Sequence, residues 1–416
     1  MVASGASADR IATIDVVRGV AVCGILLMNI AAFAMPAAAY ENPRAWGGAS
    51  GADLVTWAVD FVLVDGKMRG LFSFLFGASL LIVTDRAEAA GESPVRVHYA
   101  RMGWLLVFGL VHLWLVWWGD ILHHYALVGA VAFLLRRLPV RSMLMVGAAL
   151  ITVQTALYLT LPASIHRAER TLAQHPADKD ARRTIDEFQS SFGVPPADDL
   201  TRDIATYRSG YPTILAARWK ETRSYPVQEL LAVGMETLAY MLFGMAALRA
   251  GLLSGAWSAR RYALMATGCF AVTIPAYGAL AWLDISSGFD MAAVALGSLA
   301  ASGPLRPIMI LGWACLIVLF ARRGGPVAAR LGATGRMAFS NYLASSLICT
   351  TIFYGYGLGL YGQLSRAQLL VVVAGVWTLI LIWSKPWLAR FSYGPAEWLW
   401  RSLARGRLQP FRRPQP

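Results

Sequence analysis

The sequence is short of charge: only 15% of its 416 residues are Asp, Glu, Lys or Arg, against 57% hydrophobic side chains and a mean hydropathy of +0.52. That composition excludes an ordinary soluble domain and leaves the membrane class. Cysteine is scarce as well. Cys23, Cys269, Cys315 and Cys349 all fall inside apolar runs with no CxxC spacing, which indicates neither a disulfide framework nor a thiolate metal site. The six histidines make no HxxxH or HExxH pattern, so no metal is expected. No Walker A loop occurs, no GxGxxG is followed by a ribose-binding acid, and no internal repeat supports the inverted symmetry common in secondary transporters.

What the sequence does have is apolar runs long enough to span a bilayer, which takes about 20 residues. Ten qualify, roughly 14–35, 54–83, 101–118, 122–136, 141–161, 229–250, 261–283, 305–321, 336–355 and 367–384. The expected fold is therefore all-α and polytopic, with about ten transmembrane helices. The second run is long enough to break at Asp65-Gly66. No small-x-small cleavage site follows the first run, which reads as a retained helix.

The net charge of +13 is not a nucleic-acid signature, because the arginines lie in short clusters between apolar runs. Arg86, Arg96 and Arg101, then Arg136, Arg137 and Arg141, then Arg249, Arg260 and Arg261, then Arg322, Arg323, Arg330 and Arg336 fall on alternate connections. The other connections hold little beyond Arg44 and Arg366. This asymmetry places the clusters and both termini in the cytoplasm of a bacterial inner membrane. The organisation is then an N-terminal membrane half (1–161), a charge-rich helical loop outside (162–228) and a C-terminal half (229–416) with a basic tail.

Ionisable groups within membrane segments are costly and so mark candidate sites. The first helix reads IDVVRGVAVCGILLMNI, with Asp15 and Arg18 three apart on one face near the cytoplasmic end and Asn29 near the other end. The densest cluster is GLVHLWLVWWGDILHHYAL, carrying His112, Asp120, His123 and His124. A carboxylate can orient an imidazole and stabilise its protonated form, but eight helical residues span about 12 Å. His112 reaches Asp120 only if the helix breaks around Trp117–Gly119. Structural readings compete throughout: a snorkelling Asp15–Arg18 bridge, an Asn29 that joins helices, a solitary core histidine. Glu229 and Glu236, seven apart, share a face, and Asn341 sits in GRMAFSNYLASS.

These segments, with LFSFLFGASL and YGPAEWLWRSL, resemble the YeiB-like bacterial membrane proteins (domain-of-unknown-function family 418) over nearly the whole chain and in order. The opening motif also resembles the first catalytic helix of the transmembrane N-acetyltransferases that include the lysosomal heparan-glucosaminide enzyme. Asp15, Arg18, Gly19 and Asn29 match it residue by residue. Those relatives acylate an extracytoplasmic sugar from cytosolic acetyl-CoA, with a histidine soon after the asparagine. Residues 30–60 here contain no His, so His112 or His123 would have to serve as the base.

The expectation is a membrane acyltransferase: acyl-CoA as co-substrate, Asp15, Arg18, Gly19, Arg101, Arg336 and Asn341 holding it, and His112, Asp120 and Asn29 acting on an extracytoplasmic hydroxyl or amine, a glycan by the resemblance. Membrane lipid is the other partner, and a small-molecule permease the alternative. The orientation is directly testable. A Cys at Ser190 should react with an impermeant maleimide on intact cells and one beyond Lys385 should not; labelling at Ser190 only after lysis reverses the topology.

Overall fold

The computed structural model describes residues 3–413, with side chains from Ala12 onward, and the regular elements among its described residues are helices, joined by turns and loops, with one isolated bridge between Phe391 and Arg412. Helix α1 (Ala3–Ala34) is followed by a four-residue turn of helix, α2 (Ala38–Glu41), then α3 (Gly51–Leu63) and α4 (Lys67–Ala89). The last two are separated at Gly66, whose φ of 68° is left-handed backbone that favours glycine. Helix α5 (Pro94–Val111) starts with Ser93 capping Arg96 N–H and proline at its first position. Its end widens into a π-turn (His112–Val116), and α6 (Leu122–Leu134) and α7 (Val140–Tyr158) follow.

The loop expected outside is helical: α8 (Thr160–Gln174), α9 (Lys179–Phe192), α10 (Ala197–Tyr207) and α11 (Tyr211–Thr222) form a cap. Asn42 Nδ2 donates to Phe192 O at 2.9 Å, Arg208 Nε to Tyr361 O at 2.7 Å and Tyr361 OH to Asp203 Oδ2 at 2.8 Å, tying the cap to the membrane helices. The chain returns through α12 (Tyr225–Arg249), α13 (Ala259–Ser286), α14 (Met291–Ala295) with a π-turn, α15 (Leu305–Arg323), α16 (Pro326–Arg336), α17 (Ala338–Phe353), α18 (Leu369–Arg390) and α19 (Pro395–Arg405).

Among the described residues, eight helical stretches are long and apolar enough to cross a membrane: Ala12–Ala34, Gly51–Ala89, Pro94–Val116, Val140–Gln174, Tyr225–Arg249, Ala259–Ser286, Leu305–Arg323 and Leu369–Arg390. The fourth and ninth expected spans correspond to α6 and α17, which have only 13 and 16 residues. Two elements were not expected. The apolar helix Met291–Ala301 fills the connection between α13 and α15, and α16 turns a basic connection into a helix packed along α1.

Glycines set the closest crossings. A Cβ on Gly19 would collide with the carbonyl of Leu331, and one on Gly335 with that of Asp15; Gly77 and Gly244 do the same for α4 against α12, meeting Met241 O and Phe74 O. Small residues let membrane helices approach where no water-driven collapse brings them together. Gly19 is thus a packing residue of the α1–α16 crossing. Gly19→Ala should lower the melting temperature in detergent, by the equivalent of about 1–3 kcal/mol for an overpacked contact. Gly268→Ala, with nothing within 4 Å, should leave it unchanged or raise it.

Candidate functional site

Two features converge near the middle of the molecule. The first is a cavity of about 360 Å³ enclosed by α1, α4, α5, α6, α16, α17 and α19. One end carries Arg18, Arg86, Arg101, Arg336 and Arg401; further in, the walls are Val22, Ile25, Phe72, Leu75, Met102 and Leu105; the far end closes on Ile121, Leu122, Tyr125 and Tyr342. Among the described residues only Asp15 and Glu397 contribute carboxylates, and both are engaged. Arg18 Nη1 donates to Asp15 Oδ1 at 2.9 Å while its Nη2 reaches across to Ser79 Oγ at 2.9 Å. Glu397 accepts from Phe339 N at 2.7 Å and Ser340 N at 3.1 Å, capping α17. Arg101 lies 4.0 Å over the Trp400 ring, whose Nε1 donates to Arg101 O at 2.9 Å. The mouth therefore presents a surplus of cations.

The second feature is the histidine cluster. The π-turn at His112–Val116 and extended Trp117 (φ −155°) end α5, and the chain folds back so that His112 Nδ1 lies 2.8 Å from Asp120 Oδ1. The second oxygen, Oδ2, accepts from His123 N at 3.1 Å and lies 3.0 Å from His123 Nδ1. Tyr342 OH donates to Asp120 Oδ1 at 3.4 Å. Since Tyr342 also walls the cavity, the two features share a side chain. His123 Nε2 stands 3.0 Å from Glu229 Oε2, within ion-pair reach but off hydrogen-bond alignment, leaving neither atom with a hydrogen bond. With Asp120 accepting, Nδ1 of His112 carries a proton and Nε2 is the acceptor; that Nε2 is buried and has no partner.

Burial does not single out His112, as its position in an apolar run suggested: His123 and His124 are buried too. Each ring bonds through one nitrogen, His124 through Nε2 to Thr237 Oγ1 at 2.9 Å, and leaves the other buried without a hydrogen bond. What separates His112 from His123 is that a second carboxylate, Glu229, faces the free nitrogen of His123.

Of the residues expected to hold a donor, Asp15, Arg18, Arg101 and Arg336 line one cavity. Asn341 does not. It is fully buried between α17 and α18, donating to Thr334 O and Ser384 Oγ, each at 3.1 Å, and accepting from Trp383 Nε1 at 2.9 Å. Asn29 is half-buried and lines neither the cavity nor the histidine cluster. A further buried network escaped the sequence: Arg69 Nη2 donates to Glu236 Oε2 at 2.6 Å, and Arg306 Nη1 and Tyr240 OH to Glu236 Oε1 at 2.8 and 2.6 Å. Arg69 and Arg306, ionisable residues within or beside apolar runs, carried the signal.

Comparison with known proteins places this architecture. A family model described as "Protein of unknown function (DUF418)" matches residues 247–407. The chain is 34% identical over 409 residues to "Uncharacterized protein YeiB" of Escherichia coli strain K12, covering 95% of this chain and 96% of that one. It belongs to the YeiB-like family. A second YeiB-like relative, "Uncharacterized protein YxaH" of Bacillus subtilis strain 168, is 28% identical over 415 residues, 97% of this chain and 96% of its own. None of these descriptions names an acetyltransferase, and the resemblance of α1 to that class stands on its motif alone. No solved structure matches.

In this YeiB-like chain Asp120 is the shared acceptor of two rings and a backbone N–H, so Asp120→Ala should cost about 3–5 kcal/mol, as removal of one partner of a buried pair does. Thermal unfolding of the purified protein checks this. A melting temperature equal to wild type would mean that water reaches the cluster.

Proposed function

We propose that this protein is a membrane acyltransferase, moving an acyl group from a cytoplasmic acyl-CoA to a hydroxyl or amine supplied from the opposite side. One observation carries the reading: an arginine-mouthed, apolar-walled cavity ends on Tyr342, which hydrogen-bonds the Asp120 that orients His112. Coenzyme A offers phosphates to such a mouth, and guanidinium groups bind phosphates in forked, charge-assisted geometry. The apolar walls suit a thioester and a short acyl chain. His112 Nε2, held by Asp120 at the other nitrogen, has the orientation a general base needs.

In the proposed reaction the acceptor O–H or N–H gives its proton to His112 Nε2 as its oxygen or nitrogen bonds the acyl carbon. The carbon–sulfur bond breaks, and the departing coenzyme A sulfur takes up that proton from His112, which returns to its neutral form. The ester or amide product leaves toward the cap. A permease reading draws on Glu236, but that carboxylate accepts from Arg69, Arg306 and Tyr240, which commits three of its about four lone-pair directions to holding helices together.

Proteoliposomes given radiolabelled acetyl-CoA outside and a panel of glycans and amines inside, with the arginine face outward, test the proposal. Label should appear on a luminal product, and His112→Gln should lower the rate by about 10²–10⁴, the usual contribution of general-base catalysis. Arg18→Lys should raise the KM for the donor, because an ammonium cannot bridge Asp15 and Ser79 as the fork does. Entry of an unmodified solute with no labelled product would establish the permease instead.

A further inference from the structure

On the last helix of the cap lies an arginine that the preceding reading does not use. Arg218, on α11, is 1% exposed, and none of its three guanidinium nitrogens has a hydrogen-bond partner. Among the described residues no carboxylate lies within 4.0 Å of it in an ion pair; the nearby Glu221 is exposed. Its contact with the Tyr354 ring is distant, at 5.8 Å from the centroid. A guanidinium stays charged in any protein environment, so burial without a partner leaves its charge to be answered from elsewhere.

Two further donors lie in the apolar cluster that α11 joins through Ile214. Tyr354 OH and Trp117 Nε1 are also buried without partners, and both residues belong to one apolar cluster with Tyr207, Ile214 and Tyr361. The α11 backbone is fixed, since Thr222 Oγ1 donates to Arg218 O at 2.8 Å and Tyr211 OH donates to Leu115 O at 2.8 Å. The second of these bonds seats α11 on the π-turn that begins at His112. At the exit of that turn, Trp117 N donates to His112 O at 2.9 Å and the Trp117 ring stacks on Phe33 at 3.8 Å.

We propose that Arg218, beside Tyr354, binds an oxyanion, a carboxylate or phosphate, that belongs to the molecule approaching the histidine cluster from the cap side. Arg218 can only donate and Tyr354 OH can donate, which suits an acceptor-only ligand, and α11, which carries Arg218, packs on the π-turn that begins at His112. The site rests on the acyl-transfer reading for calling that molecule an acceptor: it narrows the acceptor to an acidic one. Oxyanion binding itself does not depend on that reading.

Equilibrium binding to the purified full-length protein tests this without any donor present. Inorganic phosphate and galacturonate are titrated in detergent and followed by thermal shift, in wild type, Arg218→Gln and Arg218→Lys. The same comparison is made in nanodiscs of phosphatidylglycerol and of phosphatidylcholine. We expect Arg218→Gln to weaken the apparent affinity for a soluble probe at least tenfold, Arg218→Lys to recover part of it, and the ligand-free Arg218→Gln to melt no lower than wild type, because it breaks no existing bond. A stabilisation seen only with phosphatidylglycerol and lost in Arg218→Gln assigns the oxyanion to a lipid headgroup. Equal affinities in wild type and Arg218→Gln, or no response to any anionic probe, overturns the site. Anion binding at Arg218 in a protein that transfers no acyl group would leave this site standing and remove only the acyltransferase.

Discussion

The structure depends on the requirement that a carboxylate in a water-poor interior be surrounded by donors. Asp120 meets it with four: the rings of His112 and His123, the His123 backbone N–H and the Tyr342 hydroxyl. Satisfying them forces α5 to end early in a π-turn and α6 to begin as a capped helix immediately afterwards, and it brings α17 against both through Tyr342. The cavity lies among these helices, α1 and α4, while Gly19 and Gly335 allow the close α1–α16 crossing and Gly77 and Gly244 that of α4 with α12.

Charge is handled in three different ways along the same axis. At the arginine-lined mouth it is left in excess, with both local carboxylates already engaged. Around Glu236 it is closed into a network with Arg69 and Arg306 that holds α4, α12 and α15 together. In the cap it is left buried and unpaired at Arg218. A closed network stabilises one arrangement of helices, whereas an excess or an orphaned cation is a standing attraction for an anion.

The amino-acid pattern announced the membrane class, the break at Asp65-Gly66 and the need for the chain to turn near Gly119, because each follows from local rules of hydropathy and backbone freedom. It also gathered Asp15, Arg18, Arg101 and Arg336, which polar cost and cationic clustering pick out. Other assignments failed for identifiable reasons. Asn341 stands out as an amide in an apolar run, but cost alone does not say whether its partner is a ligand or, as here, Ser384 and Trp383 on a neighbouring helix. Arg218 resembles every other charge of a solvated loop, since only the docking of α11 onto the π-turn buries it. Helix α16 was hidden because its arginines read as a connection, while its packing against α1 depends on Gly335, a residue with no hydropathic signal.

The central claim is that the arginine-mouthed cavity receives the phosphates of an acyl-CoA, and a structure of the protein in nanodiscs with saturating acetyl-CoA tests it most directly. The account predicts density for the diphosphate within hydrogen-bond distance of Arg18, Arg101 or Arg336, with the thioester directed along the apolar wall toward Tyr342. A cavity filled by a lipid chain, with no coenzyme A density at saturation, would contradict it.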